Sequence, residues 1–449
     1  MLKLSEIPEI QSLDARKSLV RIPPEQDIPL TPRVRRILDT AEFRRLSQIP
    51  QLGLVSLVYP AANHTRFEHS LGVFRTTLLY LKHLAHDERF IATMAREDAE
   101  KLIVTALLHD LGHWPFCHPI EDLQLAGVPT HERLAESFLL DGAIASLLRS
   151  DWGIDPTDIV TLLSGKPYDQ RSAILDSMLS GPIDVDKMDY LMRDSLHAGV
   201  PYGMNFDQGR LIGSLTLNEA GDGLAISEKG RTAAEMMVFA RYVMFSEVYW
   251  HHAVRSATAM LQRAFYLSNA QLDLNQLFRS TEQPMIEQLV QAAPAGKASE
   301  LLNGLFGSTR QLYKRLAQYS LFEDQDVYQK LVRRPYPWLA ECSNHFAKLA
   351  GRQAKCHIDQ EDILFDAPPV ECEVDFNVDV FFPKDHRYRP LGDISPMVRT
   401  LAQEQFDDYV KRVRIFVHPR LVRELQPLTN IREIILEAAD ETERQFIQP

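Results

Sequence analysis

The sequence predicts a mainly α-helical fold with a small β-hairpin insertion and an α+β C-terminal region. Three observations carry this. Apolar residues recur at helical spacing through the first part of the chain, as in Val34, Ile37, Leu38, Ala41, Phe43 and Leu46. Two alternating apolar runs flank the turn-rich stretch from Asn218 to Gly223, the pattern of a hairpin. Towards the C-terminus the composition shifts, and CEVDFNVDVFFP and VRIFVHP look like strands. The 449 residues, 45% hydrophobic, suffice for a large core. We divide them into an extended N-terminal segment (1–30), a main helical domain (31–270) and a C-terminal region (271–449), helical at first and then α+β.

Taken in order, Thr31-Pro32 opens the first helix, because Thr can cap and Pro suits the first turn. Ile49-Pro50 stops it, and LGLVSLVYP reads as a short strand. Thr65-Arg66-Phe67-Glu68 has the form of a capping box, which predicts a helix over 65–84. Further helices are expected over 98–111, 130–148 and 184–197, with loops at 165–170 and 201–210. One long helix is expected over 231–267, with Arg241, His252 and Arg255 on one stripe. Residues 270–360 read as helical, with loops near 293–297 and 334–338. A helix over 395–409 lies between the C-terminal strands.

Composition narrows the function. The net charge of -12 opposes non-specific nucleic-acid binding, so an anionic ligand needs a local basic pocket. No apolar run approaches the length of a membrane span, and the N-terminus lacks the cationic start and apolar core of a signal peptide. Cys117, Cys342, Cys356 and Cys372 form no CxxC pair, so disulfides are not expected and the chain reads as cytoplasmic. With His345 and His357 the last three are too irregularly spaced for a zinc site, and read as structural residues.

The chemistry concentrates between Asn63 and His131, where eight of the 15 histidines fall. Several stand beside carboxylates: His69 after Glu68, His109 before Asp110, His131 before Glu132. Neutral imidazoles ligate divalent metals, and a carboxylate hardens the site. His69, His109 and Asp110 are candidate ligands, with a later carboxylate such as Asp186 as a fourth. A mixed His/Asp set suits Mn, Fe, Zn, Ni or Mg and leaves room for a water. His113, His118 and His131 could carry protons or hold a phosphate. Arg66, Lys187 and Arg241 could offset the charge of a polyphosphate. His83 and His86, without acidic neighbours, read as structural, and so does Cys117. His64 stays open.

At these residues the chain resembles the HD-domain superfamily of metal-dependent phosphohydrolases, and within it the dNTP triphosphohydrolase branch. DTAEFRRLSQIPQLGLVSLVYPAANHTRFEHSLGV is similar to the family's opening block, ALLHDLGHWPFCH to its HD block, THE to the following His-Glu pair, DVDKMDYLMRD to its distal aspartate block and FARYVMFSEVYWHHAVR to a later helix. The resemblance implies that His69, His109, Asp110 and Asp186 bind the metal. His118 would protonate the leaving 5′ oxygen, and His131, beside Glu132, would act at the α-phosphate. His113 would line the phosphate site. Arg66, Lys187, Tyr190 and Arg241 would contact the triphosphate, Gln51 and Asp194 the sugar 3′-hydroxyl, and Leu52 the sugar or base. Glu121 stands where the family usually has an aspartate paired with the proton-donating histidine. Trp114 takes the place of a common glycine, which implies a narrower mouth.

The implied activity is hydrolysis of a deoxynucleoside triphosphate to the deoxynucleoside and triphosphate. A nucleotide monophosphatase or phosphodiesterase built on the same centre, and a non-catalytic nucleotide sensor or scaffold, are the alternatives. The resemblance also implies a homo-oligomer built partly from the C-terminal half, and allows for a nucleotide activator.

Overall fold

A computed structural model of the chain describes residues 4–15, 17–24, 26–369, 377–404 and 410–447. It is mainly helical and separates into two units. The first comprises Met1–Trp114, Thr130–Met244 and Val374–Glu404, and the second Pro115–Pro129, Phe245–Glu373 and Gln405–Pro449.

In the first unit the central element is the Arg66–Leu84 helix, whose Leu71, Val73, Phe74, Leu78 and Leu81 are buried. It packs against the Arg96–Leu108 and Val185–Ala198 helices. Thr65 caps it, accepting from the Glu68 amide (3.4 Å). Thr31 caps Pro32–Leu38 in the same way. That first helix is shorter than its periodicity suggests, because Thr40 breaks it and caps a second one, Ala41–Arg44. The N-terminal segment is not simply extended: β1 (Leu19–Ile22) and β2 (Gln26–Pro29) form an antiparallel hairpin.

The hairpin insertion is present as β3 (Leu215–Leu217) and β4 (Leu224–Ser227). It belongs to a larger sheet, since β7 (Asp379–Phe382) adds parallel to β4 and β8 (Arg387–Pro390) adds antiparallel to β7. Of the strand expected over 372–383, Asp379–Phe382 is observed, and 370–376 lie outside the described residues. Of the helix expected over 395–409, Pro396–Val398 and a π-helical turn, Arg399–Glu404, are observed, and 405–409 lie outside the described residues.

The second unit has a three-stranded antiparallel sheet in the order β5 (Lys314–Tyr319), β9 (Val413–Val417), β6 (Ile363–Asp366). The Tyr336–Ala354 and Ile431–Ile447 helices pack together, and Phe346, Ile363, Ile415 and Ile435 are buried in a shared core. Cys342 lies in that core too, and Cys117, Cys342 and Cys356 are free thiols. Cys372 lies outside the described residues.

Further readings of the sequence are corrected. Residues 270–360 are not helical throughout, since Lys314–Tyr319 is strand β5, held by its antiparallel pairing with β9. LGLVSLVYP is not a strand; Gly53–Leu57 is a 3-10 helix. Its buried apolar residues, Leu54 and Val55, are adjacent rather than alternate, and the Ser56 hydroxyl donates to the Gly53 carbonyl (2.9 Å) to close the turn. The long helix over 231–267 is two, Arg231–Met244 and His252–Ser268, separated by a π-helical turn at Phe245–Tyr249. Trp250 is buried beyond that turn, and its indole donates to the Arg412 carbonyl (3.1 Å). Arg241 therefore shares no continuous stripe with His252 and Arg255. Arg255 is instead paired with buried Asp366.

Candidate metal centre

Three helices of the first unit supply the donors. His69 lies in the first turn of Arg66–Leu84, His109 caps the C-terminus of Arg96–Leu108, and Asp186 sits in the first turn of Val185–Ala198. His69 is buried and Asp186 reaches the edge of solvent, with side-chain exposures of 1% and 36%. Nε2 of His69 is 2.9 Å from Asp186 Oδ1 and 3.2 Å from Nε2 of His109, and the latter is 3.8 Å from Asp186 Oδ1.

Protonation is fixed from behind. His109 Nδ1 donates to the Ala106 carbonyl (2.9 Å), and His69 Nδ1 donates to Asp189 Oδ2 (2.9 Å). In its neutral form each ring therefore presents a bare Nε2 lone pair. Two such lone pairs and a carboxylate oxygen in mutual contact repel unless something positive lies between them. Donors bonded to one ion at about 2.1 Å stand roughly 3.0–3.4 Å apart. The observed separations centre on that span, so the residues fit a divalent cation.

Asp110 completes the group from a little further away, with Oδ1 3.5 Å from His109 Nε2 and Oδ2 4.0 Å from His69 Nε2. Its carboxylate also holds Arg66 (2.9 Å) and faces His113 Nδ1 (3.0 Å). Burial opposes ionisation of Asp110, but Arg66, His113, His109 and His69 outweigh it and hold the carboxyl well below the usual range. Burial likewise disfavours a charged His69, yet hydrogen bonds to Asp186 and Asp189 and the charges of Asp186 and Asp110 push it up to about 10. The cluster is electronegative enough to draw a proton onto a buried ring, and a cation would serve the same field.

The helix ends at Leu108, so His109 and His113 do not share a helical face; His113 is reached through a turn closed by its amide on the Asp110 carbonyl (3.0 Å). Arg45 braces this turn, donating to the Leu111 and His113 carbonyls (2.7 and 2.9 Å). Gly112 has a steric role here. A Cβ on it would lie 2.0 Å from the His131 carbonyl oxygen, so only glycine lets the turn rest on the His131–Leu139 helix. The His113 and His131 rings consequently lie 4.0 Å apart, and His131 Nε2 is 3.1 Å from Glu132. Trp114 is fully buried, a core residue rather than one narrowing a mouth.

The other predicted residues are distributed as follows. Lys187 pairs with buried Asp184 (2.6 Å). Arg241 and Asp194 are buried, and Asp194 meets His64 Nε2 at 2.8 Å. The His64 ring stacks on His197 at 4.4 Å. Gln51, Leu52 and Tyr190 are half-buried. His83 bonds the Leu215 carbonyl, as a structural residue does. His118 and Glu121 belong to the second unit, where Nδ1 and Oε2 face each other at 3.5 Å on the Cys117–Glu121 helix. Phe116, which caps that helix, has left-handed backbone angles (φ 58°, ψ 33°) at a cost of roughly 1–2 kcal/mol.

Sequence reasoning missed Asp189 and Arg45, and it gave Arg193 only a place beside Asp186, Tyr190 and Asp194 on the polar side of one helix. Asp189 and Arg193 form an i,i+4 pair one turn beyond Asp186, a spacing visible in DVDKMDYLMRD but without a named partner.

Two family models match the chain: the HD domain over residues 66–164 and the HD associated region over residues 206–430. The chain belongs to the HD-domain family of phosphohydrolases. An uncharacterized protein of Methanocaldococcus jannaschii is 30% identical over 417 residues, covering 91% of this chain and 81% of that one. The deoxynucleoside triphosphate triphosphohydrolase SAMHD1 of Gallus gallus is 28% identical over 340 residues, and the match covers 65% of this chain and 54% of that protein. The chain thus spans about half of the chicken enzyme. A hypothetical protein of Aquifex aeolicus has a similar crystal structure, with a TM-score of 0.68 and 27% identity, covering 91% of this chain and 98% of that one. Among the described residues no helix is long and apolar enough to cross a membrane.

Proposed function

We propose that this chain hydrolyses deoxynucleoside triphosphates to the deoxynucleoside and triphosphate, with a divalent cation held by His69, His109, Asp110 and Asp186. The observation that carries the reading is the convergence of two imidazole Nε2 atoms and one carboxylate oxygen, each imidazole held from behind. When bound, such a cation supplies Lewis acidity and a water of lowered pKa. The name of the chicken relative supports the substrate class.

The chain's own residues do the rest. Asp110 orients Arg66 and His113. Arg66, Lys187, Tyr190 and Arg241 bind the triphosphate. His113 and His131 make an imidazole wall that holds the α-phosphate, with Glu132 beside His131. Water adds its oxygen to the α-phosphorus as the bond to the 5′ oxygen breaks. His118 keeps the role of proton donor to that oxygen, with Glu121 as its carboxylate partner. Gln51 and Asp194 select the sugar through its 3′-hydroxyl, and Leu52 packs beside it. The same reading includes assembly through the C-terminal region and a nucleotide activator.

The test is purified protein with each dNTP and Mn, Fe, Zn, Ni or Mg in turn, products resolved by ion-exchange chromatography. Triphosphate and deoxynucleoside in equal amounts are expected. Release of orthophosphate or pyrophosphate would point to the phosphatase alternative, and tight nucleotide binding without turnover to a sensor.

A further inference from the structure

Behind His69 lies a buried chain of charges that the proposed reaction does not use. Asp189 Oδ2 accepts from His69 Nδ1 at 2.9 Å. The same carboxylate is gripped by Arg193 through two hydrogen bonds, both 2.7 Å. Arg193 is itself 1% exposed. Its remaining donors reach Glu68 (2.7 Å), the Pro23 carbonyl (2.9 Å) and Gln26 Oε1 (3.4 Å). Glu68 also bonds His197 (2.9 Å) instead of folding back on its own helix, so the capping-box glutamate is spent on this chain. Gly72, three residues beyond His69 on the same helix face, leaves the space: a Cβ there would be 2.0 Å from Asp189 Oδ1 and 2.3 Å from Arg193 Nη2.

We infer that Asp189 and Arg193 are positioning residues for the metal, acting through His69. The β1–β2 turn at Pro23 and the Glu68 carboxylate clamp Arg193 from its far side. The physical ground is that a carboxylate on the rear nitrogen of a ligating imidazole fixes its tautomer and aim and raises its basicity. An aspartate alone could rotate. Two parallel N–H···O bonds from a planar guanidinium hold its plane. Arg193 cannot swing away, because four acceptors on three segments of chain occupy its donors. His109 has only a backbone carbonyl behind it, so the two imidazoles are held by unequal acceptors, a charged carboxylate for His69 and a neutral carbonyl for His109.

This inference rests on the proposed role of His69 as a ligand, so the experiment separates the two. Mn(II) affinity is measured by electron paramagnetic resonance titration on the full chain for wild type, Asp189→Asn, His69→Ala and the double variant. Circular dichroism melting confirms that each is folded. Asp189→Asn should weaken Mn(II) binding by about 10- to 100-fold. In the His69→Ala background the same substitution should change affinity by less than about twofold, since the ligand it acts through is gone. Wild-type affinity in Asp189→Asn, or an equal loss in both backgrounds, would overturn the inference. A His69→Ala variant that binds Mn(II) like wild type would overturn the ligand reading instead. Should Asp189→Asn not fold, the same cycle is run with Glu68→Gln, at a partly exposed residue. A weaker affinity only when His69 is present supports the chain of positioning, and an unchanged affinity refutes it.

Discussion

Gly72→Ala sets helix propensity against packing, and the two predict opposite signs. Gly72 lies within the Arg66–Leu84 helix, where alanine is intrinsically better than glycine by about 0.8–1.0 kcal/mol. Propensity alone therefore predicts a more stable protein. The structure predicts the reverse. The new Cβ would lie 2.0 Å from Asp189 Oδ1, 2.3 Å from Arg193 Nη2 and 2.5 Å from Asp189 Cγ, distances no real Cβ tolerates. The atoms in the way belong to two buried side chains joined by two hydrogen bonds, not to flexible ends at the surface. Relief requires either a shift of the helix or rupture of the Asp189–Arg193 pair. Breaking a buried ion pair costs about 3–5 kcal/mol. Set against the propensity gain, this leaves a net loss of about 2–4 kcal/mol. Urea unfolding followed by circular dichroism should show a lower midpoint for the first unit, with Mn(II) affinity falling in parallel. An unchanged or raised midpoint would refute the steric argument and with it the rigidity assigned to the Asp189–Arg193 couple.

Other perturbations probe different parts of the molecule. Gly112→Ala would press a Cβ against the His131 carbonyl and displace the His113–His131 pair, and a displacement of about 1 Å should cost on the order of 100-fold in kcat, measured by steady-state dNTP hydrolysis. Asp366→Asn leaves Arg255 with a weakened partner in a buried site and should destabilise the second unit by about 3–5 kcal/mol in urea titration; wild-type stability would show that this pair does not anchor β6 to the His252–Ser268 helix. Removing metal with EDTA should abolish turnover and lower the melting temperature, with both restored by excess divalent ion; saturation at 100 times Kd corresponds to about 2.7 kcal/mol. Burial pushes the Cys342 thiol far up, so iodoacetamide should modify Cys356 in the native protein and reach Cys342 only in denaturant, as read by peptide mass spectrometry.

How far the site could be read from the chain depended on whether each residue announces its own chemistry. His69, His109, Asp110 and Asp186 do so: imidazoles beside carboxylates are costly in a core, and their residue types name the ligand class. The Thr31 and Thr65 caps were equally legible, because a cap is a contact three residues long. Asp189 was not, since its function depends on a partner 120 residues away, and an aspartate on a helix otherwise reads as a solvated charge. Arg45 is a similar case, since a cation ending on two backbone carbonyls leaves no trace in residue type. Gly112 in the sequence looks like any turn glycine, whereas the structure shows that it permits a close approach, which only the facing His131 carbonyl reveals. The break at Phe245–Tyr249 was hidden for the opposite reason. Helical periodicity runs through it without interruption, and what breaks the helix is tertiary: Trp250 is buried under Arg255, 3.9 Å from its ring, and tied to the Arg412 carbonyl. Residue type thus marks the candidate donor atoms, while the residues that aim those atoms emerge only from the folded contacts. The Asp189–Arg193 couple is of the second kind, which is why the cycle with His69→Ala, rather than the loss of activity alone, is the measurement that identifies it.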